Sequence, residues 1–129
     1  MSYLKRELRD LQITTVSGAH GGSGDLHVAQ LLGFQEGADF PGDKTDFDSP
    51  VNFVHRLVLP AGSSIGMHQH TDTEEFYYLE KGSVTMVTEK ERIAMSEHSI
   101  FLIKPDSSHE IINESTDDAV IIVMEITLK

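Results

Sequence analysis

The sequence predicts an all-β protein, an antiparallel sandwich or barrel preceded by one short helix. Three observations predict it. Apolar runs are short, and clusters of Gly, Pro, Asn, Asp and Ser separate them, the pattern of many short strands joined by turns. Residues 51–59 alternate, with Val51, Phe53, His55, Leu57 and Leu59 on one face and Asn52, Val54, Arg56 and Val58 on the other, which is the period of a strand. Helical spacing shows in residues 3–11, where Leu4, Leu8 and Leu11 form one apolar stripe with Lys5, Arg6 and Arg9 between them.

Taken in order, residues 3–11 read as a short amphipathic helix. The Gly-Ala-His-Gly-Gly-Ser-Gly run at 18–24 reads as a flexible loop. It is no phosphate cradle, because no Lys-Ser or Lys-Thr pair follows and no helix begins there. Residues 25–32 read as a strand pointed by Leu26, Val28 and Leu31, and 33–50 as a long loop without period. After the alternating strand at 51–59, Pro60-Ala61-Gly62 turns the chain into a strand at 65–70. Residues 75–79 and 83–88 form a hairpin around Glu80-Lys81-Gly82, with Gly82 supplying the positive φ of a tight turn. Residues 89–92 are a charged turn, and 93–95, 99–103, 109–113 and 119–126 complete the strands. The last, with Val120, Ile121, Ile122, Val123 and Met124, is apolar without alternation, as a strand buried on both faces is. One face would line the interior and the other meet a second subunit, so a homodimer is expected.

Composition narrows the function classes. At 129 residues the chain is expected to form one domain with a sizeable core. Without cysteine there is no disulfide, thiol nucleophile or thiolate metal site. A net charge of -11 repels phosphate backbones and argues against nucleic-acid binding. No apolar run is long enough to span a membrane, and the first residues lack a signal-peptide pattern, so a cytoplasmic protein is expected.

The chemistry concentrates in residues 62–82. His68 and His70 are two apart, so on a strand they project from one face. Glu75, on the next strand after a short turn, is placed to reach the same point. Two imidazoles and a carboxylate converging on one spot suit a divalent transition metal. By strand parity Tyr77 shares the face of Glu75. His55 lines the interior if its face is the inner one; Arg56 does so in the opposite register, where it could hold a substrate carboxylate. Tyr77 and His55 are the candidate catalytic groups, Arg56 the candidate substrate-binding group. His20, His27 and His98 belong to no ligand pattern and read as structural or exposed.

The same stretch resembles the first motif of the cupin superfamily, a glycine, five residues, His-x-His, three or four residues, Glu, six residues and Gly, at Gly62, His68, His70, Glu75 and Gly82. Glu74 competes on the looser spacing, but only Glu75 leaves six residues before Gly82. The second cupin motif, G-x5-P-x-G-x2-H-x3-N, falls on His98, Lys104, Asp106, His109 and Asn113. Here His109 and Asn113 match, whereas His98, Lys104 and Asp106 replace the glycine, proline and second glycine. Asp tolerates left-handed backbone, so the turn remains feasible. The resemblance covers roughly residues 51–127 and implies a jelly-roll β-barrel, commonly dimeric. It also implies His109 as a fourth ligand beside His68, His70 and Glu75. That set suits Mn, Fe, Co, Ni or Zn and leaves coordination positions open to a chelating small molecule. The expected function is a divalent-metal-dependent enzyme, of isomerase or dioxygenase type, acting on a small oxygenated metabolite such as a sugar or a keto or hydroxy acid. The alternative is a non-catalytic small-molecule binding module.

Overall fold

The computed structural model describes residues 2–38 and 41–128. Ten strands run in order: β1 (Ile13–Ser17), β2 (Asp25–Gly33), β3 (Val51–Leu59), β4 (Ser64–Gln69), β5 (Thr73–Lys81), β6 (Val84–Thr88), β7 (Arg92–Met95), β8 (Ile100–Ile103), β9 (Ser108–Ile112) and β10 (Ala119–Thr127). They form two antiparallel sheets, one of six strands in the order β1-β2-β3-β10-β5-β8 and one of four in the order β4-β9-β6-β7. The sheets face each other across a core containing Phe53, Leu59, Leu79, Met86, Ile111 and Ile121, all but fully buried. Each such side chain contributes about 1.5–3 kcal/mol by leaving water, so the inner faces hold the two layers together.

The amino-terminal segment corrects one expectation. Instead of a helix over 3–11 there is a single 3-10 turn at Leu8–Asp10 with no buried residue. Leu4 and Leu8 stay exposed, so the leucine stripe has no surface to pack on, and a helix this short is not stable by propensity alone. What anchors the segment is Arg6, whose guanidinium donates two hydrogen bonds to Asp46, at 2.7 and 2.8 Å. Strand β1, which the sequence reading passed over, pairs with β2 from Ile13↔Ala29 to Ser17↔Asp25. The long loop after β2 includes residues 39–40, which lie outside the described residues.

The turns behave as their chemistry dictates. Gly62 and Gly82 have positive φ, 80° and 91°. His98 and Asp106, which stand where the second motif has glycines, adopt φ of 70° and 67°. Left-handed backbone at both positions is thus held here by non-glycine residues. Asn113 is fully buried and donates to the Leu59 and Asp117 carbonyls while accepting from Ser115. It fastens the carboxyl end of β9 to the turns beside it.

Candidate metal centre

His68 lies near the end of β4, opposite His109 of β9. The β4–β9 register shifts between Ile65 and His68. This bulge lets Ile65 and His68 both face inward, although strict alternation would put them on opposite faces. The His68 Nδ1 lies 2.7 Å from the Gly66 carbonyl oxygen. A carbonyl only accepts, so Nδ1 carries the proton and Nε2 keeps its lone pair for the interior. His70 follows two residues on, and Glu75 reaches in from β5 of the other sheet. One donor atom each from His68, His70, Glu75 and His109 lies within 4.8 Å of the others. The structure thus brings together the four residues that the spacing and the resemblance named.

The surroundings tune this group. The Tyr77 hydroxyl donates to Glu75 Oε1 at 2.8 Å and lies 3.1 Å from His109 Nε2. Burial and the neighbouring carboxylate push the Tyr77 pKa well above its usual value, so the phenol keeps its proton. Burial alone would raise the Glu75 pKa, yet His70 and the Tyr77 hydroxyl together bring it below the ordinary value. Glu75 correspondingly raises the pKa of His70. The His70 Nε2 is 3.2 Å from Glu75 Oε1 but outside hydrogen-bond geometry, so it remains a buried nitrogen without a hydrogen-bond partner, as does His109 Nδ1. Burial lowers the pKa of His68, and that of His109 to about 4, which keeps both rings neutral and able to donate lone pairs. The orphaned His70 nitrogen beside the Glu75 carboxylate, with one donor atom each of His68 and His109 within 4.8 Å, is what a divalent ion satisfies, so the residues present fit such an ion.

Two contributors escaped the sequence reading. Glu125 on β10 pairs across the sheet with Glu75. Its carboxylate lies 3.7 Å from His70 Nδ1 and accepts from Asn52 Nδ2 at 2.8 Å. His20, in the glycine-rich loop, has φ of 51°, and its ring stacks on His68 with centroids 3.9 Å apart. The loop is pinned there because Ser64 N donates to the Ser23 carbonyl and Ser23 N donates to Ser64 Oγ. Parallel rings cannot both hold one ion in their planes, so His20 flanks the cluster without joining its ligands.

A cavity of about 520 Å3 opens onto His68, His70, Glu75 and Tyr77. His55 lines it too, stacked on Phe53, with its pKa lowered by burial to about 4. Arg56 does not. Strand alternation puts it on the opposite face from His55, which corrects the expectation that it holds a substrate carboxylate here. His27 and His98 bind elsewhere, to Thr15 Oγ1 and to the Tyr78 hydroxyl.

Fold and site together define a small antiparallel two-sheet β protein with three imidazoles and a carboxylate gathered beside a cavity between the sheets. The profile of the family described as "Cupin domain" matches residues 55–125. The chain belongs to the cupin family. It is 27% identical over 123 residues to an oxalate-binding protein of Thermotoga maritima, a match covering 91% of this chain and 93% of that protein. The crystal structure of a predicted oxalate decarboxylase from Thermotoga maritima superposes with a TM-score of 0.85 at 22% identity, covering 97% of this chain and all of that one. A cupin barrel protein of Salinispora arenicola gives 0.66 at 15% identity, covering 98% and 88%. These superpositions establish the shared fold.

Proposed function

We propose that this cupin is a divalent-metal-dependent enzyme, of isomerase or dioxygenase type, acting on a small oxygenated metabolite such as a keto or hydroxy acid. The observation that carries the reading is the convergence of four ligand-type atoms within 4.8 Å, with His68, His70 and Glu75 on the wall of a cavity. His68, His70, Glu75 and His109 would hold Mn, Fe, Co, Ni or Zn. When bound, such an ion supplies Lewis acidity to a chelated carbonyl or, as iron, oxidative chemistry.

The chain's own groups divide the remaining work. Tyr77, protonated, holds the Glu75 carboxylate in place. A pKa of about 4 keeps the His55 ring neutral but makes it a weak base, so it would meet a bound metabolite as a hydrogen-bond partner rather than as a strong proton acceptor. The core side chains behind the cavity exclude water from one side. A second reading, a binding module without turnover, is favoured by the relative named as an oxalate-binding protein. Among the described residues no helix is long and apolar enough to cross a membrane, and a cytoplasmic location belongs to the same proposal.

A homodimer through the outer face of the six-stranded sheet completes it. Val54, Met124, Phe76 and Leu102 line up there across four strands, and Ile100 and Leu102 are 61% and 50% exposed. The test of function is to purify the protein without chelator, measure bound metal, and offer Mn, Fe, Co, Ni and Zn to the stripped protein. Uptake of one ion per chain, lost in His109→Ala, is expected; a chain that takes up none of the five ends the metal reading. Turnover then separates enzyme from binding module in a screen of sugars and keto acids, where stabilisation without product favours the module.

A further inference from the structure

We infer that the ligand of this cavity is a chelator with an apolar body and at most one negative charge, not a small dianion such as oxalate. The inference rests on the metal-site reading above and names the ligand class of that site. The first observation is the wall. Val16, Leu26, Val28, Phe53, Leu57 and Val123 line the cavity, and such surface gains only by covering apolar atoms. Oxalate has none to offer, and it would occupy a small part of about 520 Å3.

The second observation is charge. Among the described residues, no lysine or arginine lines the cavity, while Glu36 stands on its wall and is exposed to solvent. The chain as a whole carries -11. Three neutral imidazoles and one carboxylate around a divalent ion leave about one positive charge, and the Glu125 carboxylate beside His70 offsets part of it. One negative charge on the ligand balances that; a second would be desolvated with no partner. Arg56, the cation nearest in sequence to the inner wall, faces the other way. The polar atoms that remain suit a single chelating end: Thr14 Oγ1 is buried without a hydrogen-bond partner, and His20 flanks the ligand cluster.

Isothermal titration of the Zn(II)-loaded protein with oxalate, pyruvate and phenylpyruvate tests this, because the two keto acids share one head and differ in one ring. Burying that ring against the wall is expected to tighten phenylpyruvate about ten- to a hundredfold over pyruvate, with oxalate no tighter than pyruvate. Metal content is measured on the same sample. If the chain takes up no metal, the metal-site reading fails and takes this inference with it. If metal is bound but oxalate matches phenylpyruvate, or the ring adds nothing, the inference alone fails. Gln35→Arg places a cation on the wall from a loop. It is expected to shift the oxalate-to-phenylpyruvate ratio several-fold toward oxalate, and an unchanged ratio would refute binding in this cavity.

Discussion

His55 makes a sharp prediction about the metal-free protein. The ring is 4% exposed, and burial, outweighing the attraction of Glu75, lowers its pKa from 6.5 to about 4. Between those two values the unfolded chain binds a proton that the folded chain refuses, so stability falls as pH drops through 6.5 and the loss is complete below about 4. The full shift corresponds to about 3.4 kcal/mol, of which about 2 kcal/mol is lost between about pH 8 and about pH 5. His109, lowered by burial to about 4, acts in the same direction. His70 acts oppositely: its pKa is raised, so its stabilisation is present below 6.5 and lost as pH rises through the folded value. Comparing wild type with His55→Phe cancels these shared contributions. Urea unfolding in the presence of EDTA, across that pH range, should show wild type losing about 2 kcal/mol more than the variant. Parallel pH profiles for the two proteins would refute the neutral, buried state of His55.

Glu125→Gln is expected to weaken metal binding about tenfold or more, measured by competition with a chromophoric chelator, because the carboxylate beside His70 Nδ1 orients that ring; an unchanged affinity would remove Glu125 from the site. Gly66→Ala would drive a Cβ into the His20 carbonyl oxygen and to 2.8 Å from Gly22 N. Thermal or urea unfolding should report a loss of about 1–3 kcal/mol, and the His20 and His68 ring resonances should lose their mutual shifts. Leu102→Lys should convert a dimer to a monomer in light scattering, and a wild-type protein already of one chain mass would rule the dimer out.

The site was legible because its signals are local. His68 and His70 share a face by strand parity, and the His109 position followed from motif spacing. The face of His55 was left open by the sequence, since parity says which residues go together but not which side is inside. Burial of Phe53, His55, Leu57 and Leu59 between the two sheets decides it. Glu125 and His20 were illegible for a related reason. Glu125 reaches the cluster only because β10 pairs with β5 across a long stretch of chain, and His20 only because its loop docks on β4. The leucines of residues 3–11 carried a helical period with no partner surface, so the period misled. The two missing glycines of the second motif left the loop shape open in the sequence, and His98 and Asp106 take the left-handed backbone themselves.

The four ligand-type residues do not belong to one layer. Glu75 comes from the six-stranded sheet, His68 and His109 from the four-stranded one, and no backbone ladder joins the two among the described residues. An ion held there would be a rivet through both plates. Prying the layers apart at this end and releasing the ion would then be one event, so chelation should speed amide exchange in β5 and β9 together and leave the edge strand β7 quiet.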